Sequence, residues 1–501
     1  MPMPVRAQRY AKGFQNGPLY LLPSTGQSLS TGTLDTAESI VQPFQNLKLY
    51  SPSGAYMSGA IPGDFELVPL VTPLRLPLTM SGTDLYPFNL AGESVETSTA
   101  NQVTRLSVAA GRGQPQYGAT CVGQGGAPIS AIKKGGSGNA YAAMLREIAV
   151  WRALLPATSP LYVPAILWTH GEADASNQNA GYYTDFVQAQ ADAEADILAI
   201  FGVQAAVASG HIPVICSQQS SDPNSGQGFN YTAAAMLKAA QTFPSLFFLS
   251  GPKYQYSYAD AQHLLHYIPL GEKYAQVLWS LLTTGTWAPL WIVGQSRSSN
   301  VVTLTWHVPV PPLVLDPVQS GPHASGAWSL WGRTGLEAYD QVNTVVNCTL
   351  SGGTTGLVTV QTGTPHGYST GMQVGFQNIG GCNNINQVLW TITVIDSTHF
   401  SLNGSNGNGA YISTTNSVFV PIAISSVTIS SNQTIVTLAR PPVGSSLVIG
   451  VADTRDGAFG TAGTGFGTNG RCSLLRDSDP YMGPSGFPNY NWACGQTISV
   501  P

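Results

Sequence analysis

Charge is what this sequence has least of. Only 9% of its 501 residues are Asp, Glu, Lys or Arg, and together they leave a formal net charge of -5. No basic run occurs, so the electrostatic footprint by which proteins hold nucleic acid is not expected. Long apolar runs are also missing. No stretch reaches the roughly 18 apolar residues that a membrane span needs, and Met1 to Tyr10 lacks the apolar core of a secretory signal. The expectation is a soluble chain with no membrane partner. The six cysteines, at 121, 216, 348, 382, 472 and 494, form no Cys-x-x-Cys, and no histidine cluster has zinc spacing. Neither a metal nor another cofactor is therefore expected. Cys472 with Cys494, or Cys348 with Cys382, can pair under oxidising conditions, and buried free thiols are the other reading. No heptad or fibre repeat is present, so oligomerisation stays open.

What is abundant is glycine, with 55 residues, and proline, with 35. Many Gly, Pro, Ser and Thr with little charge suit a β-rich extracellular or virion-type protein. Residues 1–15 read as a leader. Export would then use a signal that this sequence does not carry, or a route such as phage assembly and lysis. The length suggests about two to four domains.

Residues 16–285 alternate strand and helix patterns. Pro18 to Thr25 reads as a strand, and 29–110 as turn-rich loops around a site. A helix with Tyr141, Met144, Leu145, Ile148, Trp151 and Leu155 on its apolar face spans 139–155. Strands follow at 163–168, 212–216 and 246–249. Helices follow at 183–201, with Phe186, Val187, Ile197, Leu198 and Phe201 apolar, and at 233–240 and 271–282. Such alternation implies a parallel sheet covered on both faces, with ligands bound beyond the carboxyl ends of its strands. From about 286 the period changes to two: Val302, Leu304, Trp306, Val308 and Val310 alternate with more polar residues, and hairpin patterns recur at 427–438 and 447–451. A β-sandwich over 286–340 and 421–501 is expected. A Gly/Thr/Asn-rich stretch, 341–420, reads as a small β module inserted into it. Trp328, Trp331 and Tyr411 in this region are aromatic candidates for stacking on sugars, and His366 and His399 read as turn and strand residues.

The chemistry starts at Gly26-Gln27-Ser28. An apolar strand that stops in a Gly-x-Ser turn places a hydroxyl at the edge of a sheet, where a base can deprotonate it. Ser296, in a second Gly-Gln-Ser at 294–296, is its competitor. A serine nucleophile needs a base that titrates near neutrality, and histidine starts there. His263 is the candidate, with Asp260 three residues earlier able to accept from the other ring nitrogen. His266 reads as a packed or solvated histidine.

Taken in chain order, Gly26-Gln27-Ser28, Trp168-Thr169-His170-Gly171-Glu172-Ala173-Asp174 and Asp260-Ala261-Gln262-His263-Leu264 resemble the SGNH (GDSL) hydrolase superfamily. They are closest to its sialate O-acetylesterase-like, carbohydrate acetylesterase branch, and the resemblance spans roughly 16–285. It favours Ser28 over Ser296, which falls after the histidine. It implies a flavodoxin-like parallel sheet and a Ser28, Asp260, His263 triad, with Glu172 as an alternative triad carboxylate. Gly123-Gln124-Gly125-Gly126 resembles the superfamily's glycine block. The backbone N–H of Ser28 with that of Gly126 or Gly125 would then receive the oxyanion. The family usually carries Gln or Asn where this chain has His170, whose neutral imidazole N–H is the corresponding donor. Gln27, Glu172 and Asp174 would support the site, or Glu172 and Asp174 would only cap a helix start. The resemblance implies hydrolysis of O-acetyl esters on an oligo- or polysaccharide. The wording at Thr364 to Gly371 resembles modules of phage tail proteins, which would make this a tail-associated esterase. The alternative is an inactive carbohydrate-binding or virion structural protein.

Overall fold

A computed structural model describes residues 17–50, 66–74, 92–220, 231–256, 263–316, 334–377, 379–386, 388–413, 416–443, 447–452 and 472–501. The chain divides into two compact units. One comprises 1–219, 235–288 and 480–489, and the other 220–234, 289–479 and 490–501.

The first unit is built on a mixed, mostly parallel sheet. Its strands are β1 (Leu19–Gly26), β2 (Leu47–Leu49), β3 (Leu67–Pro69), β4 (Gln116–Cys121), β5 (Leu161–Val163), β6 (Ile166–Thr169), β7 (Val203–Ala205), β8 (Val214–Gln218) and β9 (Phe247–Pro252). The order is β3-β2-β4-β1-β6-β8-β9, with β5 joining the start of β1 to β7, and only the β2/β3 pair is antiparallel. Central strands are buried on both faces, as Leu19, Leu21 and Leu22 of β1 are, which is why they read as apolar runs rather than as alternation. The single strand expected over 163–168 is two short ones, β5 and β6, with Pro164, which has no N–H to give a ladder, between them.

Among the described residues the α-helices are α1 (Val95–Ala109), α2 (Ile129–Ile132), α3 (Ala140–Leu154), α4 (Glu172–Ser176), α5 (Tyr182–Leu198), α6 (Tyr231–Thr242) and α7 (Ile268–Thr284). The loop reading of 29–110 misses α1. Its buried face is largely hydroxylic: Ser98, Thr99 and Thr104 donate to the carbonyls of Val95 and Ala100 within the helix. Polar residues satisfied in this way can be buried, so no 3.6-residue apolar period is written there. Phe201, expected on the apolar face of α5, lies beyond the helix end and is 95% exposed. Residues 480–489, expected in the β-sandwich, pack with the first unit instead. Ser485 donates its N–H and hydroxyl to the Glu272 carboxylate, and the Lys273 ammonium donates to Asn489 O.

The second unit contains antiparallel sheets. One runs through Trp291–Ser298, Val301–His307, Gln433–Leu438 and Ile424–Ser430. A second, of nine strands, includes Leu336–Asn343, Ser417–Pro421, Leu447–Val451 and Gln496–Val500. Val302, Leu304 and Trp306 are buried in one core, while Val358, Val360, Phe376, Ile392 and Phe400 form another within 345–420. All six cysteines are buried.

Candidate functional site

At the carboxyl end of β1 the chain turns sharply. A side chain at Gly26, whose φ is +149°, would collide with the carbonyl of Thr169 at the end of β6, so only glycine fits where these strands come together. Gln27 N–H donates to that same carbonyl, and Ser28 opens the short 3-10 turn Ser28–Thr31. Ser28 is 8% exposed. His263 lies beyond β9 and precedes α7, and its Nε2 is 2.9 Å from Ser28 Oγ. Two residues 235 positions apart are thus brought within hydrogen-bond distance. Asp260, the expected orienting carboxylate, lies outside the described residues.

The glycine-rich turn after β4 lies beside the serine. Gln124 N–H donates to Gly26 O, continuing the β1/β4 ladder to its end. Gly123 is the residue that permits this approach, since a Cβ there would strike Ser30 Oγ and the Gln27 carbonyl. Gly125 and Gly126 are exposed, Gly126 with φ +67°. Among the described residues no protein acceptor takes the N–H of Ser28, Gly125 or Gly126.

The loop after β6 ties these turns together. His170 is fully buried between two partners: its Nε2–H donates to Ala127 O at 2.9 Å, and its Nδ1 accepts from the Tyr182 hydroxyl at 3.0 Å. Tyr182 in turn accepts from Trp168 Nε1–H. Both ring nitrogens are therefore engaged, and no imidazole N–H is left for an oxyanion. This corrects the expectation for His170. Burial pushes its pKa below the usual histidine value, with Asp174 nearby working in the opposite direction. Asp174 accepts from Ile129 N–H and from Asn179 Nδ2. Gln27 Oε1 accepts from Ala173 N–H. Glu172 is fully buried and pairs with the equally buried ammonium of Lys253.

His266 is solvent-exposed, with Nδ1 3.5 Å from Glu38 Oε1 and 3.8 Å from Asp35 Oδ1. These three residues offer ligand atoms within 4.8 Å of one another. Asp35 already accepts from the N–H groups of Thr36 and Tyr267, and burial pushes its pKa up to about 6. In the second unit, Ser296 is exposed in mid-strand opposite Thr303. Tyr411 donates its hydroxyl to Val345 O, and Trp328 and Trp331 lie outside the described residues. His366 is buried, bonded to Tyr368 N–H and Asp396 O, and His399 pairs with Asp396.

Lys253, Tyr182 and Asp35 escaped the sequence reading. Nothing local marks them, because each acts on a partner many positions away. Gly123 stood within the glycine block, and its contact with Ser30 appears only in three dimensions. Among the described residues, no helix is long and apolar enough to cross a membrane.

No protein-family model matches this chain, and no curated protein matches it. Among solved structures it is similar to XAC1771, described as a novel carbohydrate acetylesterase from Xanthomonas citri. The identity is 12%, the match covers 96% of this chain and 80% of that one, and the TM-score is 0.45. It is also similar to the Arabidopsis thaliana protein AT4G34215, at 16% identity over 53% of this chain and 99% of that one, with a TM-score of 0.36. A third similar structure is NanS, at 14% identity over 48% of this chain and 80% of that one, with a TM-score of 0.28.

Proposed function

We propose that this chain is a serine esterase that hydrolyses carboxylic esters, O-acetyl esters of a carbohydrate in particular, through an acyl-serine intermediate. The observation that carries the reading is the 2.9 Å approach of His263 Nε2 to Ser28 Oγ in a turn at the carboxyl end of β1. Ser28 Oγ attacks the ester carbonyl carbon as its proton passes to Nε2. The oxyanion forms against the N–H groups of Ser28 and of Gly126 or Gly125, each such donor typically worth about 2.7 to 4 kcal/mol. Collapse breaks the ester bond, and the departing sugar oxygen takes the proton back from His263. Water, deprotonated by the same imidazole, then releases acetate and restores Ser28.

Asp260 is the triad carboxylate in this reading, on the segment that leads to His263. Glu172 is occupied by Lys253, and His170 holds the glycine turn through Ala127 O. The strand order β4-β1-β6-β8-β9 is the flavodoxin-like one, consistent with the SGNH reading of the motifs. The carbohydrate part of the proposal rests on that motif resemblance. An extracellular or virion-associated setting rests on composition.

Hydrolysis of p-nitrophenyl acetate by the wild type and by Ser28→Ala tests the chemistry, and acetate release from a panel of acetylated polysaccharides tests the substrate. Absence of Ser28-dependent turnover would favour the alternative, an inactive carbohydrate-binding or virion structural protein.

A further inference from the structure

Lys253 is 0% exposed, and a fully buried lysine is rare unless it is paired. It opens the short turn Lys253–Gln255 directly after β9, and its partner Glu172, also 0% exposed, opens α4 just beyond the end of β6. In the sheet β8 lies between these strands, so β6 and β9 are about 10 Å apart. The ion pair therefore reaches across the exit of the intervening strand. A buried pair is a poor device for stability, because removing two charges from water offsets most of their attraction, and apolar side chains of similar volume serve as well. What apolar packing does not supply is a fixed, directional link between two particular strand exits.

Both exits lead into the site. From the β6 exit, Ala173 N–H reaches Gln27 Oε1, Asp174 Oδ2 holds Ile129 N–H, and His170 holds Ala127 O. The nucleophile turn and the glycine turn are thus fastened to the loop that Glu172 heads. From the β9 exit, the chain runs from Lys253 to His263 in ten residues.

Building on the esterase reading, we propose that Lys253 is a positioning residue. With Glu172 it ties the exit of β9, ten residues before the base in sequence, to the loop that braces the nucleophile, and it commits Glu172 to this tie rather than to His263.

The test compares Lys253→Met with the double variant Lys253→Met/Glu172→Gln, in the full chain. The single variant leaves an unpaired buried carboxylate and is expected to lose thermal stability. The double variant leaves no lone charge, so its Tm should return toward wild type. If the pair positions the base, kcat on p-nitrophenyl acetate stays about tenfold or more below wild type in the double variant, with KM within about twofold. Amide exchange at Ala173 and Ile129 should also be about tenfold faster than in wild type. A kcat that recovers together with Tm, or amide protection that does not change, would overturn the proposal. So would a loss in the double variant as deep as that of Ser28→Ala while Asp260→Asn stays active, since Glu172 would then be the triad carboxylate. Absence of Ser28-dependent turnover in the wild type would defeat the esterase reading alone, and amide exchange would still decide whether the tie exists.

Discussion

Replacing Ser28 by Ala should lower kcat by about 10³-fold or more with the fold intact, while Ser296→Ala should leave it unchanged. Steady-state kinetics beside a melting curve checks both, and equal effects would defeat the assignment. His170 makes a different claim. Gln at this position can donate to Ala127 O and accept from Tyr182, so His170→Gln should keep Tm and kcat near wild type. His170→Leu leaves both partners buried and unsatisfied, at about 1–3 kcal/mol for each group, and Tm and activity should fall together. Activity retained in the leucine variant would refute a role in holding the glycine turn. The same imidazole has a pH signature. Its folded pKa is depressed, so the stability it contributes is present above the usual histidine value and lost as pH falls through the folded one. Asp35 acts in the opposite sense. Its pKa is raised from 3.8 to about 6, so its contribution is complete below 3.8 and is lost as pH rises through about 6. Denaturant titrations of wild type and Asp35→Asn should therefore diverge in the variant's favour as pH climbs across that window. A constant difference would mean that Asp35 is not perturbed.

At the scale of elements, legibility followed the range of the forces involved. Helix α3 and the strand Val301–His307 were readable because Met144, Ile148 and Trp151, or Val302, Leu304 and Trp306, record their buried face in their spacing. Helix α1 was not, because Thr99 and Thr104 are buried with their hydroxyls satisfied by the helix itself. The serine and the histidine could be picked out by motif, whereas the Lys253–Glu172 link joins residues 81 positions apart and has no local trace. Strand pairing also refines where the β module can be removed. Asn343 of Leu336–Asn343 lies opposite Val418 of Ser417–Pro421, so a cut at 341 would break a paired strand. Excising 345–416 and joining the ends with a short Asn-Gly turn should restore a hairpin. This variant should keep its activity on small esters, since every proposed site residue precedes 264. Loss of that activity in a folded, soluble excision would refute the modular reading, and weaker action on polymer alone would assign substrate contact to the module.

For the molecule as a whole, residues 480–489 matter more than their position in the chain suggests. They supply the Ser485 donors to Glu272 and the Asn489 carbonyl to the buried Lys273. A chain ending at 288 should therefore melt well below the full-length protein, and a peptide of residues 480–489 added in trans should raise its Tm. An unchanged Tm in the truncated chain would make the strap dispensable. The strap also sets a timetable. About 190 residues separate 289 from 479, and at typical synthesis rates they take roughly 10 to 40 s to leave the ribosome. Throughout that interval the first unit has its serine, its histidine and its sheet, yet it waits for the segment that covers Glu272 and Lys273. Most of this unit is synthesised before the β region, but its assembly is completed only by residues 480–489. A nascent chain stalled anywhere in the β region would therefore display an unfinished first unit to chaperones, and pausing there would lengthen that exposure in direct proportion.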